Sequence, residues 1–384
     1  MTPLSHYTAT VLAQALLLAL GLATSLTLTR ALGPAGFGAM TATLATAQAL
    51  VWASGFWLTA GTLRYGAARA QLGPVVWARL LIAGGLAGLL MAALGAYLEL
   101  VVVPVVIVLL VGQSMHAAWQ AHGASGVAAG LLVAERAVFL GLLVGIGVSA
   151  PSTALWLAAS AGAIVLVPGL LGLRALWPIR TSRATMGRLL AFSWPLAVAM
   201  LAQGATSSWL TVAVLQQTHG PATVGQWALV QQIAGAVQQI PAASFPIVVA
   251  GRVGAPEALG VYLARVVPLG LLACAALVGL ALLALPRLVA MLYGPDFEPA
   301  RRVLPILLLG IGAYAVYIAA LPLLTLAERS TAVLGVTAVA ALVHVAALAL
   351  LVPTWGLAGA AWASTASQGA SAVAVVGLTC RGRR

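Results

Sequence analysis

The sequence predicts an all-α polytopic membrane protein of about twelve transmembrane helices, in two six-helix lobes related by pseudo-two-fold symmetry. Three observations lead to this prediction. The 384-residue chain is 62% hydrophobic and 6% charged, with a mean hydropathy of +1.09, whereas a soluble domain is about 25% charged. Apolar stretches long enough to cross a bilayer recur along the whole chain, and a glycine-proline motif recurs in its two halves.

Each predicted span has roughly 20 mostly apolar residues, the length that crosses a hydrocarbon core of about 30 Å. The first stretch has no preceding Lys or Arg and is longer than the apolar core of a cleavable signal, so we expect a retained helix. In chain order the spans are predicted at 9–29, 39–61, 80–97, 100–121, 131–149, 154–173, 190–214, 224–250, 266–284, 303–326, 331–352 and 357–378.

The arginines orient these spans, because inner loops of membrane proteins are enriched in basic residues. All 18 basic residues are Arg, and a cytoplasmic amino terminus places thirteen inside, four outside, and Arg136 in or beside span five. We therefore expect a cell (inner) membrane protein with both termini cytoplasmic. The inner set is Arg64, Arg69, Arg79, Arg174, Arg180, Arg183, Arg188, Arg252, Arg265, Arg329, Arg381, Arg383 and Arg384; the outer set is Arg30, Arg287, Arg301 and Arg302.

The longest and most basic loop, 174–188, divides the spans into two groups of six. It predicts an N-terminal lobe at 1–180 and a C-terminal lobe at 181–384. The motif GPAGFG that begins at Gly33 recurs as GPATVG at Gly220, between equivalent spans of the two groups. Six helices is an even number, so both halves start on the same side and are expected to be related by an axis along the membrane normal.

Composition excludes several functions. The chain has no Lys and no Asn, so it has no P-loop lysine, no Schiff-base lysine and no N-glycosylation sequon. It contains no HExxH sequence and no long hydrophilic domain, which argues against an enzyme, and we expect no resident cofactor. Cys274 and Cys380 lie in apolar stretches and are interpreted as small hydrophobic residues. The arginines are too dispersed for a nucleic-acid interface.

Six short motifs follow one family's order: TRALGPAGFG at 29–38, RYG at 64–66, FSWP at 192–195, VGQW at 224–227, LYGPDF at 292–297 and WGLAGAA at 355–361. Through them the chain resembles Wzx-type polysaccharide flippases (O-antigen and exopolysaccharide) of the multidrug/oligosaccharidyl-lipid/polysaccharide exporter superfamily. The resemblance implies alternating access and transfer of a polyprenyl-pyrophosphate-linked oligosaccharide to the outer leaflet, for surface polysaccharide biosynthesis. It also implies contact with membrane lipids and with polysaccharide polymerase or assembly proteins.

Span eight carries the strongest candidate site. Gln231, Gln232, Gln238 and Gln239 are spaced to share one helical face, where amides could exchange hydrogen bonds with sugar hydroxyls in a wet cavity. The alternative is polar contact between helices. Gln203 and Ser207 form a shorter stripe on span seven.

Arginine can hold two phosphate oxygens at once, so Arg30, Arg64 and Arg136 are the candidates for the pyrophosphate. Arg64 matches the family's Arg-Tyr after span two, and its alternative role is a topology anchor.

Glu135 lies beside Arg136; both are functional candidates if they sit at membrane depth, and they snorkel if span five begins later. His344, deep in span eleven, is a candidate for proton coupling or for plain packing. Glu135 and His344 are thus the candidate coupling residues, with H+ or Na+ as the ion.

A cation-coupled multidrug exporter, similar to the MATE family, is the alternative function. Such exporters generally need an intramembrane carboxylate, and Glu135 is the sole candidate here. A scaffold for polysaccharide assembly is a further alternative that the sequence leaves open.

Overall fold

The computed structural model describes residues 3–59, 61–62, 69–94, 100–121, 125–172, 182–204, 209–250, 267–326 and 330–381. Regular structure in these ranges is helical throughout, which confirms the all-α prediction. Eight of the described helical segments are long and apolar enough to cross a membrane. Helices satisfy their own backbone hydrogen bonds, which is what a hydrocarbon solvent requires.

The predicted spans correspond to helices, with two differences in how they are joined. Spans one and two lie in one element that breaks at Gly33, and span seven is shared by α6 and α7. The helices are α1 (Pro3–Val51), α2 (Arg69–Leu94), α3 (Val102–Ala121), α4 (Ser125–Ile146), α5 (Pro151–Gly172), α6 (Arg183–Gly204), α7 (Thr211–His219), α8 (Pro221–Ala250), α9 (Val267–Tyr293), α10 (Glu298–Leu326), α11 (Ser330–Trp355) and α12 (Leu357–Arg381).

The two copies of the glycine-proline motif share a backbone conformation. Gly33 has φ 64° and ψ 179°, and Gly220 has φ 81° and ψ 176°. This region is essentially restricted to glycine, and the proline that follows suits the first turn of the next helix. Gly294, with φ 76° and ψ −173°, makes the same turn before Pro295. The turn is therefore a general helix junction in this chain, and the repeat uses it at equivalent positions.

The chain forms two compact units. One contains residues 15–209, and the other contains residues 210–384 together with 1–14. Helix α6, which the sequence assigns to the C-terminal lobe, packs against α2 in the first unit. In the second unit α10 packs against α8, α9 and α12, and α12 packs against α11.

Span two contains a π-helical turn at Trp52–Phe56, and this turn packs against α2. At their contact a side chain on Gly55 would collide with Ala83. Glycine is thus required for the close approach of the two helices. Single π turns inside α-helices insert one extra residue and are frequent at functional sites.

We expect Gly220→Ala to lower the free energy of unfolding by about 1–3 kcal/mol, because alanine is strained at this backbone conformation. Gly235→Ala is the matched control in α8, since Gly235 is helical and has open space around its Cβ position. Thermal unfolding of the purified protein in detergent measures both variants. Equal melting temperatures for the two would contradict the assigned strain.

Candidate functional site

The glutamine face of α8 is the predicted cargo surface. Gln231, Gln232 and Gln238 are half-buried, whereas Trp227, Ile233 and other apolar residues of the helix are buried. The Gln238 side chain is hydrogen-bonded to Tyr314 of α10. These three described glutamines of α8 are therefore only partly covered. The side chain of Gln239 is outside the described residues.

Span seven adds little to this surface in the described residues. The backbone of Gln203 belongs to α6, but its side chain is not described, and Ser207 lies outside the described ranges. In spans one and two, Thr24, Thr27 and Thr46 bond back to carbonyl oxygens four residues earlier, at 2.7, 2.9 and 3.0 Å. These hydroxyls form hydrogen bonds within their own helix, as expected for small polar residues in a helix interior.

The candidate phosphate-binding arginines are placed on different elements. Arg30 is exposed and lies one turn before the break at Gly33, and Arg136 is exposed on α4. Arg64 lies outside the described residues. Their role in holding a pyrophosphate stays a prediction.

Helix α4 begins at Ser125, earlier than the predicted start of span five. Glu135 is therefore roughly 15 Å along the helix from its first residue, within the apolar segment Gly126–Ile146. Glu135 is half-buried, and the charge that acts on it is that of Arg136. The functional role of this pair stays a prediction.

A cavity of about 200 Å³ lies inside the first unit, beside Glu135. Gln113 and His116 of α3 also line it, and the Gln120 amide nitrogen donates to His116 Nε2 at 2.8 Å. The cavity could hold a few water molecules or a small ligand, at about 30 Å³ per water. Aliphatic side chains make most of the wall: Val108, Leu109, Met115, Leu131, Leu132, Val165 and Leu166.

The prediction for Arg79 is wrong. The sequence places it in an inner loop, but α2 begins at Arg69 and the apolar segment at Leu72, so Arg79 is inside the span. Its exposed fraction is 1%, and its Nε and Nη1 atoms have no hydrogen-bond partner. The predicted span begins at Leu80, just after Arg79. The apolar residues Val75, Val76 and Trp77 before Arg79 were the signal that the span begins earlier.

His344 is buried on α11 and is bonded through Nε2 to Thr211 Oγ1 of α7 at 3.0 Å. This bond joins two helices of the second unit, and it accounts for the histidine as a packed and hydrogen-bonded residue. Its role in proton coupling stays a prediction.

The sequence analysis missed a polar run on α12. Thr365 Oγ1 donates to the Ile306 carbonyl at 2.8 Å, and Ser367 Oγ donates to the Ala340 carbonyl at 2.9 Å. A side chain on Gly310 would collide with Gln368, so α10 and α12 are in close contact there. The signal was the spacing of Ser364, Thr365, Ser367, Gln368 and Ser371 in span twelve.

Thr211→Val tests the histidine contact. We expect it to lower the free energy of unfolding by about 1–3 kcal/mol, because His344 Nε2 loses the Thr211 hydroxyl in a buried position. Thr218→Val, at the exposed end of the same helix, is the control and is expected to change stability little. A double-mutant cycle with His344→Leu, followed by thermal unfolding, isolates the pair; strict additivity of the two changes would argue against the bond.

The fold, rather than the sequence, relates this chain to known proteins. No family model and no curated protein matches the chain by sequence. Solved structures match it in fold. A multidrug resistance MATE family transporter of the MOP superfamily, in its inward-facing conformation, is 15% identical over 95% of this chain and 94% of its own, with a TM-score of 0.65.

Two further solved structures match over nearly the whole chain. The MATE multidrug transporter DinF-BH is 17% identical over 99% of this chain and 95% of its own, with a TM-score of 0.71. The lipid II flippase MurJ, in an inward closed conformation, is 11% identical over 97% and 87%, with a TM-score of 0.67. The described residues therefore have the same fold as these solved structures, the MATE transporters and MurJ.

Proposed function

We propose that this chain transfers a polyprenyl-pyrophosphate-linked oligosaccharide from the cytoplasmic to the outer leaflet by alternating access, in surface polysaccharide biosynthesis. The observation that carries the proposal is the glutamine face of α8, half-exposed within its own unit and free of carboxylates. Amides donate and accept, so one such face can serve many differently oriented sugar hydroxyls. The fold shared with the lipid II flippase MurJ supports a lipid-linked cargo.

Charge supports an anionic cargo. The chain has 18 basic and 6 acidic residues. Glu135 is half-buried in the middle of α4, whereas Asp296 and Glu298 lie at the junction of α9 and α10, where Glu298 pairs with Arg301 and Arg302. A cationic drug would need a carboxylate that is not already paired, and a pyrophosphate would need guanidinium groups, which this chain has in excess.

A cation-coupled multidrug exporter is the second candidate. Two observations favour it: the MATE proteins that share the fold, and Glu135 beside a cavity within a single unit.

In the first proposal the same Glu135 is the coupling residue, taking up H+ or Na+ while the cargo moves. His344 is the second coupling candidate. Membrane lipids and polysaccharide polymerase or assembly proteins are the proposed partners.

The paired substitution Gln231→Leu with Gln232→Leu tests the cargo face. In proteoliposomes containing a fluorescent polyprenyl-pyrophosphate sugar, we expect at least a tenfold slower transfer, because each lost amide removes hydrogen bonds worth about 1 kcal/mol. Gln216→Leu with Gln217→Leu is the matched control, since both side chains are exposed at the end of α7. Unchanged transfer by the α8 variant, at equal protein yield, would remove these glutamines from the path.

Glu135→Gln separates the two candidate functions. We expect the wild-type protein to transfer the lipid-linked sugar faster under an imposed H+ or Na+ gradient, and the variant to lose that acceleration, because a neutral amide cannot exchange a cation. Glu298→Gln, the same substitution at the junction of α9 and α10, is the control and should keep it. Gradient-driven uptake of a fluorescent organic cation that requires Glu135, without transfer of the lipid-linked sugar, would instead establish the multidrug exporter.

A further inference from the structure

Arg79 is a buried cation with unused hydrogen-bond donors. Its side chain is among the largest that are fully buried, and both Nε and Nη1 lack a partner. A buried guanidinium is costly unless an anion or several acceptors compensate its charge. The observation therefore calls for a negatively charged group near α2.

His116 of α3 faces the same region. Val76 and Leu80, on either side of Arg79 in α2, pack in one cluster with Met115, the neighbour of His116 in α3, and the charge of Arg79 acts on the His116 ring. The Gln120 amide nitrogen can only donate, so Nε2 of His116 accepts and the proton of the neutral ring is on Nδ1. Nδ1 is buried and makes no hydrogen bond of ordinary length and angle, and the Ala128 carbonyl is close enough to interact with the ring.

The acidic residues of the first unit do not supply the missing charge among the described residues. This unit has two, Glu99 and Glu135. The charge that acts on Glu135 is that of Arg136. Leu94, the last residue of α2 before Glu99, is about 22 Å further along the helix axis than Arg79.

We propose that the α2–α3 contact binds a small monovalent inorganic anion, a halide, held by Arg79 Nε and Nη1 and by His116 Nδ1. Three buried donors and one fixed positive charge form a binding set for a spherical anion, which needs no particular acceptor geometry. The ion neutralises the guanidinium and joins the two helices. The proposal does not depend on which cargo the protein transfers.

The route to the site also favours a small ion. The cavity beside Glu135 includes His116 in its wall but not Arg79. His116 is therefore the part of the site that borders the cavity, and a lipid head group would need α2 and α3 to separate in order to reach the guanidinium. The fully buried position of Arg79 in the described structure is consistent with an occupant of atomic size.

Thermal unfolding of the purified full chain in detergent tests the site, with sodium bromide titrated against sodium gluconate at constant ionic strength. We expect a saturable rise in Tm with bromide. Arg79→Met should abolish the rise, and Arg79→Lys should weaken the apparent bromide affinity about tenfold, because lysine lacks the guanidinium fork. Arg287→Met, at an exposed arginine of α9, is the control and should keep the wild-type response.

If Arg79→Met does not fold, His116→Phe carries the test, since it removes one donor and keeps the cation; a weaker bromide response is then expected. A crystal grown in bromide should show anomalous scattering between Arg79 and His116. The proposal is overturned by an equal bromide response in Arg79→Met and wild type, by a response to inorganic phosphate and none to bromide, or by Glu99→Gln abolishing the response as Arg79→Met does.

Discussion

The hydrocarbon solvent offers no hydrogen-bond partner, and the rest of this structure depends on that constraint. The backbone meets it by forming helices. Small side chains meet it in two ways: Thr24 and Thr46 bond to the preceding turn of their own helix, while Thr365 and Ser367 bond to carbonyl groups of neighbouring helices. These four hydroxyls therefore either bond within their own helix or fix the contact between two helices.

Much of the fold could be predicted from the sequence because lipid makes the length of an apolar stretch informative. The glycine-proline turns were also readable, since Gly33 and Gly220 adopt a conformation that other residues reach only with strain. The residues at which the spans begin and end were harder to predict. Composition cannot distinguish Arg79 at a loop from Arg79 in a helix, because the neighbouring residues are apolar in either case; only packing reveals that α2 extends past it.

The candidate site was predictable in kind rather than in detail. Periodicity grouped the glutamines of α8 on one face, but it could not reveal that Tyr314 of a helix distant in sequence holds Gln238. The residues that lie beside Glu135 could not be predicted from the sequence either. The cavity next to it is lined by α3, α4 and α5 together with Thr59 of span two, and its histidine comes from a helix whose sequence pattern did not indicate the contact.

The π turn at Trp52–Phe56 holds one residue more than an α-helical turn would. Closing it to α geometry would push that residue onward, and the part of span two that follows would rotate by about 100° and shift by about 1.5 Å. Trp57 and Thr62, which are both buried, would then face different neighbours. A single change of hydrogen-bond register in this helix would thus turn a different set of side chains toward its neighbours without unfolding it, starting at the contact of Gly55 with α2.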